Sequence, residues 1–154
     1  MPALVVTNTT PSQGNSGYGA QFWVGAGSPI VYTPVIEVAS INNKKFSVPA
    51  IDTTHLQSPY ATEEMYPGIK KPGTIELTGN WIGDASQTVF DTLSAGQTIF
   101  PYQITAGMQR DSKTATASGY CFVTESEDGP YEANKKIDFK VTLQKTGQTV
   151  LVIA

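Results

Sequence analysis

The only cysteine and the only histidine of the chain are the first side chains to consider for chemistry. A cysteine nucleophile needs its thiolate form and a base such as histidine to accept the proton. Cys121 lies in an apolar segment beside Tyr120 and Phe122, whereas His55 lies in a distant polar loop. A lone cysteine in such a segment is typical of core packing. We therefore expect no thiol catalysis, and a single cysteine excludes a disulfide within the chain.

Acidic residues beside each other or beside His55 are the other candidates for a catalytic or metal site. Asp52 lies three positions before His55, but no Gly-x-Ser-x-Gly motif supplies a nucleophile and too few ligands stand at metal-binding spacing. Glu63 and Glu64 are adjacent in a loop, where side chains do not converge as a glycosidase pair must. A further acidic group lacks the glycine spacing of a calcium loop. It consists of Glu125, Glu127 and Asp128. We expect no catalytic residue, metal or cofactor.

Composition restricts the class of protein further. The 154 residues fit a single domain, residues 1–154, and the net charge of −3 with scattered lysines is unlike a nucleic-acid-binding surface. Charged residues make up 15% of the chain, against roughly 25% in an ordinary soluble domain. Such a weakly charged, hydroxyl-rich surface is consistent with self-association. The first residues lack a signal-peptide pattern and no apolar run is long enough to span a bilayer, so we expect neither export nor membrane insertion.

The elements that must position these residues are mostly strands. Residues 1–30, rich in glycine and serine, read as an N-terminal arm with one short strand at 21–24. Asn42-Asn43 predicts a tight hairpin between strands 35–41 and 45–51. Alternation is strict from Thr74 to Trp81, where Ile75, Leu77, Gly79 and Trp81 share one face.

One helix is predicted at about residues 85–95. Asp84 can cap its first turn, Gln87 can reach back in a capping box, and Gly96 supplies a left-handed stop. An apolar stripe would pack it against a sheet. That stripe contains Ala85, Val89, Phe90 and Leu93.

The second half of the chain predicts further strands. Phe100, Tyr102 and Ile104 alternate, but Pro101 cannot donate to a ladder, which assigns this strand to an edge or a bulge. Segments 119–125 and 136–145 read as a hairpin, and the apolar end at 149–153 needs a sheet to pair with. The fold class is therefore mainly β, an antiparallel β-sandwich or barrel with one packed helix.

The loop at residues 52–72 is unusually long for a compact domain, and such loops are usually functional or ordered by a partner. Its order of residues, together with the strand that follows, resembles the major tail tube proteins of long-tailed bacteriophages with non-contractile, lambda-like tails. Three segments carry this resemblance, which extends over about residues 12–146. They are Asp52-Thr53-Thr54-His55 with Ser58, Pro67-Gly68-Ile69-Lys70 with Gly73, and Thr78-Gly79-Asn80-Trp81 before the helix.

The resemblance implies a tail-tube-like fold and a structural virion protein that assembles with itself. Members form hexameric rings stacked into a hollow tube, and genomic DNA passes through the lumen into the host without sequence-specific binding. The implied partners are further copies of the chain and the tape-measure, tail terminator and tail-tip proteins. The implied location is the virion tail, and the host cytoplasm before assembly, with no membrane contact.

A polar loop containing three prolines cannot form a core of its own, so we expect it to be mobile in the monomer and ordered by a neighbouring subunit. Residues expected at the subunit interface are Asp52, His55, Tyr60, Glu63, Glu64, Tyr66 and Lys70. A lumen that lets DNA slide should repel phosphate, which suits the negative charge of the chain. Glu76 and Asp138 are the lumen candidates, although Lys136 and Lys140 stand beside Asp138.

Two other interpretations remain open at this point. The tube proteins of contractile tails and of secretion systems share this architecture in outline. A monomeric β-sandwich binding module would have a similar size and strand pattern, and its exposed aromatic residues could hold carbohydrate or protein.

Overall fold

The computed structural model describes residues 15–108 and 112–154, and its centre is an antiparallel sheet of seven strands. The strands of this sheet are β1 (Gln21–Ala26), β2 (Val31–Pro34), β3 (Val38–Asn43), β8 (Thr74–Asn80), β9 (Phe100–Met108), β10 (Lys113–Asp128) and β11 (Asp138–Ile153). Four short strands lie between β3 and β8 in the chain, and they are β4 (Phe46–Ser47), β5 (Ala50–Asp52), β6 (Met65–Pro67) and β7 (Lys71–Pro72). The order across the sheet is β2-β1-β9-β10-β11-β8-β3, and the short strands form two separate ladders, β4 with β7 and β5 with β6.

A single core forms where the sheet packs against helix α1 (Ala85–Ala95). Aromatic rings occupy its centre, with Phe22 stacked on Tyr102 at 6.0 Å and Phe90 at 6.3 Å from Phe22 between ring centroids. Such contacts add specific geometry to the burial of apolar area. The predicted class, mainly β and antiparallel with one packed helix, is confirmed. The large strands belong to one continuous sheet rather than to two separately bonded ones.

The alternation predicted from Thr74 onward is confirmed in β8, which lies beside β11 in the sheet. In β8, Ile75 and Leu77 are fully buried, and they face Leu143 and Val141 of β11 across the ladder. The opposite face of β8 and of residues 138–144 of β11 is polar. This period-two pattern fixes the register, because a slip by one residue would move every apolar side chain to the polar face.

The helix has the predicted bounds, but two details of its ends differ. Asp84 is the N-cap and accepts from the Ser86 backbone N–H at 3.0 Å. Gln87 does not complete a capping box. Its buried side chain instead accepts from the Ile82 N–H and donates to the carbonyl of Asn80 at 2.8 Å. The helix thereby docks to the end of β8 through a side chain that sequence periodicity treats as polar surface.

The left-handed residue after the helix is Gln97, with φ of 49°, whereas Gly96 keeps a helical φ of −85°. The apolar stripe is also narrower than predicted. Phe90 is buried, and Val89 and Leu93 pack against the core, but Ala85 is exposed.

The edge position predicted for the strand containing Pro101 is wrong, because β9 lies between β1 and β10. Pairing of β9 with β1 begins only at Tyr102, opposite Val24, so Pro101 is not required to donate to that ladder. Its ring instead lies close to Gly25, where a Cβ atom would come within 2.7 Å of the proline.

The hairpin predicted around Asn42-Asn43 is also wrong. Both residues continue β3, which pairs with β8 rather than with the segment that follows it. The chain instead extends outward through β4 and β5 and returns through β6 and β7. Residues 44–73 therefore form one long hairpin whose closed end lies between Asp52 and Met65.

The N-terminal strand is longer and more central than the sequence suggested. β1 continues to Ala26 and lies inside the sheet, with Phe22 fully buried. The predicted arm of residues 1–30 therefore ends before Gln21, and its residues 1–14 lie outside the described part of the chain. The predicted hairpin of β10 with β11 is confirmed, and it includes the apolar C-terminal segment as a continuation of β11.

Candidate assembly surface

The long hairpin (residues 44–73) contributes no buried apolar side chain to the core. Every residue of its strands β4, β5 and β6 is exposed. Several of these side chains are large and apolar, among them Leu56 and Tyr60, which are fully exposed at its closed end. Large apolar side chains concentrated in one exposed segment are typical of an interaction surface.

Several hydrogen bonds lie within the closed end of the long hairpin, and its expected mobility in the monomer stays a prediction. The Glu64 backbone N–H donates to the Thr54 hydroxyl at 2.8 Å, and the Thr53 N–H donates to the Glu64 carbonyl at 2.9 Å. The Glu64 carboxylate accepts from the Ser58 hydroxyl at 2.8 Å and lies 3.5 Å from His55 Nε2. The loop is thus a closed polar turn with its apolar side chains directed outward.

Three of the residues predicted at an interface belong to this turn: Asp52, His55 and Glu64. Hydrogen bonds from the Thr54 hydroxyl and backbone N–H to the Asp52 carboxylate lower the pKa of Asp52. His55 Nδ1 accepts from the Gln57 N–H at 3.1 Å. These side chains therefore stabilise the turn, as expected for Asp52 and His55 as a local pair in a turn.

The other four predicted interface residues are exposed side chains. Tyr60, Glu63 and Tyr66 face solvent, and Lys70 extends over the ring of Phe46, with its Nζ 4.2 Å from the ring centroid. A cation at this distance is attracted by the electron-rich face of the ring. These side chains are accessible to a partner, and their place in an interface stays a prediction.

A second exposed apolar surface is the end of β11, residues 150–153. Val150, Leu151, Val152 and Ile153 are each about half exposed. Consecutive residues of a strand point to opposite faces, so both faces of this segment are apolar. Its ladder with β8 ends at Gln144, and beyond that point only β10 pairs with it in the described part of the chain.

On the side away from the core, β8 and residues 138–144 of β11 present polar side chains, which include both lumen candidates. Glu76 pairs with Thr142, which on its other side pairs with Glu125, so two carboxylates flank one threonine across three strands. Asp138 pairs with Asn80 and forms an ion pair with Lys136 at 2.5 Å. This ion pair offsets the charge of Asp138, whereas no ion pair within the described ranges involves Glu76.

Cys121 behaves as the sequence predicts for a packed thiol. It is fully buried, and burial raises its pKa to about 12, so the thiolate is not available near neutral pH. Across the ladder it faces Lys145, which is 2% exposed. Sequence analysis missed this lysine, because it continues the inward-facing series 139, 141 and 143 at a position where alternation requires an apolar residue.

Other kinds of site find no support in residues 15–108 and 112–154. No group of three or more histidine, cysteine or acidic side chains in these ranges could hold a metal ion. None of the helices described there is long and apolar enough to cross a membrane.

Comparison with known proteins gives matches in structure but not in sequence. No protein-family model matches the chain, and no curated protein matches it significantly. The tail of an empty gene transfer agent particle, refined with C6 symmetry, matches with a TM-score of 0.74 at 11% identity, over 90% of this chain and 99% of that one.

Two further solved structures are similar over most of the chain. The SPP1 tail tube matches with a TM-score of 0.66 at 10% identity, over 90% of this chain and 78% of that one. A chain of the PVC extracellular contractile injection system, from its sheath-tube complex in the extended state, matches with a TM-score of 0.63 at 15% identity, over 92% of this chain and 93% of that one.

At these identities the matches show a common fold, and that fold is the one found in tail tubes. The similar structures are structural components of tails and tubes, not enzymes. They include both a phage tail tube and a contractile injection system, so the fold does not separate contractile from non-contractile assemblies.

Proposed function

We propose that the protein is a structural virion protein that polymerises as stacked hexameric rings and forms the hollow tail tube through which DNA is delivered. The fold supports this proposal, as do the tail and tube assemblies in which similar structures occur. Six copies per ring follow the C6 symmetry described for the gene transfer agent tail. The protein would then act by self-assembly rather than by catalysis.

The observation that carries the proposal is the exposed apolar end of β11. The end of β11 has apolar side chains on both faces, and beyond Gln144 this edge has no ladder partner in residues 15–108 and 112–154. Such an edge promotes pairing with another chain. Soluble proteins usually protect such an edge with charges, proline or a covering element. Residues 149–153 contain neither a charged side chain nor a proline. A second copy of the chain can supply both the missing strand and the apolar cover.

The long hairpin supplies the second contact in this proposal. Its exposed side chains at Leu56, Tyr60 and Tyr66 present apolar area that a neighbouring subunit would bury. Aromatic side chains are enriched in such interfaces. The predicted interface residues Asp52, His55 and Glu64 would then act by holding the shape of the turn, and Glu63 and Lys70 by meeting the neighbour.

The polar face of the sheet is the proposed lumen wall. Glu76 is the stronger candidate, because the pair of Glu76 with Glu125 around Thr142 presents negative charge without an ion pair in the described ranges. Phosphate is repelled by such a surface, so DNA could slide without binding. Asp138 stays a candidate with its charge partly offset by Lys136.

The proposed location is the virion tail, with the host cytoplasm as the location before assembly. The proposed partners beyond further copies are tape-measure, tail terminator and tail-tip proteins. A similar fold in the tube-terminating cap of the anti-feeding prophage, with a TM-score of 0.60, is consistent with a related chain closing the tube. A tube within a contractile system is the second candidate, supported by the comparable TM-scores of 0.63 and 0.66.

Electron microscopy of the purified protein tests the part that both candidates share. We expect rings or hollow tubes, and a sedimentation coefficient that rises with protein concentration. A single monomer peak at every concentration would contradict self-assembly and favour the monomeric binding module.

A double substitution tests the observation that carries the proposal. Val150→Lys with Val152→Lys adds charge to the exposed edge, and we expect it to abolish tubes while the monomer keeps its unfolding temperature. Thr92→Lys with Ala95→Lys is the matched control, since it adds the same charge to two exposed positions of α1. Tubes formed equally well by the β11 variant would exclude this edge as an assembly contact.

A further inference from the structure

A cavity of about 500 Å³ lies between the base of the long hairpin and β11. Three lysines line it, Lys45, Lys70 and Lys145, and no acidic side chain is among the lining residues of the described chain. Its other walls are amide, hydroxyl or apolar. They include Asn43, Gln148, Thr149, Phe46, Pro72 and Leu151. A cavity with cations and apolar walls suits a ligand that joins a negative charge to an apolar surface.

Lys145 is the buried cation of this cavity. Its side chain is 2% exposed, and its Nζ donates to Asn43 Oδ1 at 2.8 Å. No ion pair in residues 15–108 and 112–154 includes it, and burial, reinforced by the nearby charge of Lys45, lowers its pKa. A buried charge without an opposite charge costs stability, and an opposite charge brought by a ligand would offset this cost.

The frame around Lys145 is held in place before any ligand arrives. Gln144 Nε2 donates to the carbonyls of Pro72 and Gly73 at 3.1 and 3.2 Å, and the Lys145 backbone N–H donates to the Gly73 carbonyl at 3.1 Å. Gly73 itself passes so close to the Lys44 backbone that a Cβ atom would lie 2.0 Å from the carbonyl oxygen. These contacts fix the hairpin base to β11, and a preformed site loses less entropy on binding.

We propose that this cavity is a carboxylate-binding site that receives Glu63 from a second copy of the chain. Glu63 is exposed at the closed end of the long hairpin. No hydrogen bond or ion pair in the described part of the chain engages its carboxylate, whereas the neighbouring Glu64 is held by Ser58 and His55. Glu63 therefore offers an unengaged carboxylate at the closed end, with a charge complementary to the lysines of the cavity.

The side chains around Glu63 match the rest of the cavity. Leu56 and Tyr60 are fully exposed at the same closed end, and the cavity offers apolar walls at Phe46 and Leu151. One copy thus presents a carboxylate with apolar neighbours, and the other presents lysines with apolar neighbours. Because the two surfaces are different parts of the molecule, the contact is heterologous and can propagate around a ring or along a stack.

This inference rests on the proposed self-assembly and specifies one of its contacts. A charge exchange tests it. Lys45→Glu reverses a charge at the exposed rim of the cavity, and Glu63→Lys reverses the proposed ligand. We expect either single variant to raise the critical concentration for assembly at least about tenfold, and the double variant to return it to within about threefold of the wild type.

Two controls accompany the exchange. Lys44→Glu makes the same charge change at the neighbouring exposed lysine, which does not line the cavity, and should leave assembly unchanged. Lys145→Met removes the buried cation but keeps an unbranched apolar side chain. This variant should fold, as measured by its circular dichroism spectrum and cooperative unfolding. Its critical concentration for assembly should be at least about tenfold higher than that of the wild type.

Each result decides between explanations. Rescue by the double variant, without an effect of Lys44→Glu, supports the contact. If the wild type assembles while Lys45→Glu and Glu63→Lys assemble normally, or if the double variant shows no rescue, the contact is wrong and self-assembly stands.

If acetate raises the unfolding temperature of the wild type but not of Lys145→Met, and Glu63→Lys has no effect on assembly, the site takes a small anion instead. If the wild type never assembles, the inference and the proposed function both fail.

Discussion

The β8–β11 pair and the long hairpin are both built from antiparallel strands, but they leave their apolar side chains in opposite places. In β8 and β11, Ile75, Leu77 and Leu143 are fully buried and the other face is polar. In the long hairpin, Leu56 and Tyr60 are fully exposed, and hydrogen bonds to Glu64 hold the turn.

This difference separates stability from assembly within one chain. The first region gains its stability from apolar area buried within the monomer. The second region retains its shape through local hydrogen bonds, and its apolar area remains available to a partner. Substitutions in the two regions should therefore change different measurements.

The largest effect on folding should come from the core. Leu77→Ala removes a fully buried side chain between β3 and β11, and we expect it to lower the free energy of unfolding by about 2–5 kcal/mol in urea denaturation. The matched change in the long hairpin, Leu56→Ala, should alter that free energy by less than about 0.5 kcal/mol.

Leu56→Ala should instead weaken assembly, measured as a higher critical concentration for tubes. The assignment of stability to the β8–β11 pair and of assembly to the long hairpin would be contradicted if Leu56→Ala destabilised the monomer as much as Leu77→Ala. It would also be broken if Leu56→Ala left assembly untouched.

The core region was predictable from sequence because period-two alternation reports directly which face is buried. The strand at Thr74–Asn80 and the helix at Ala85–Ala95 follow from such patterns and from the Asp84 cap. Local sequence patterns gave a wrong prediction where pairing between strands distant in the chain decides the structure. Asn42-Asn43 is compatible with a turn, but both residues remain in strand β3 because β8 pairs with them. The chain reverses direction only later, at the closed end of the long hairpin.

The candidate site was predictable only in part. Polarity and prolines identified residues 52–72 as a segment without its own core, but neither its internal hydrogen bonds nor its role as the end of a hairpin follows from composition. Lys145 was not predicted, since a lysine at an inward position looks like an interruption of the pattern. Only the position of Asn43 and of the hairpin base explains how it is accommodated.

An intermediate effect should come from the junction between the two regions. Gly73→Ala places a Cβ atom 2.0 Å from the Lys44 carbonyl oxygen, so the backbone must shift. We expect a loss of about 1–3 kcal/mol in the free energy of unfolding, together with weaker assembly, because the hairpin base moves relative to β11. Gly107→Ala is the matched control, since a Cβ there meets no atom within 4 Å.

Equal stability of Gly73→Ala and Gly107→Ala would show that the junction tolerates displacement. In that case the hairpin would be loosely attached, and its closed end could not present Glu63 at a fixed position to a neighbour.

The smallest effect should be a pH dependence that arises from Lys145. Burial and the nearby charge of Lys45 lower its pKa in the folded state below the ordinary value of 10.5, while Cys121 opposite it stays a neutral thiol, with a pKa of about 12. As pH rises towards the ordinary value of 10.5, the folded state therefore loses this proton before the unfolded state does. The unfolded state then binds more protons, so the stability of the wild type should rise relative to Lys145→Met over this window.

Urea denaturation of the monomer at several pH values measures the difference, and the exposed Lys140→Met should show no such trend. A constant difference between the wild type and Lys145→Met would mean that Lys145 is not penalised by burial, and the cavity would then have no unpaired buried cation for a carboxylate to neutralise.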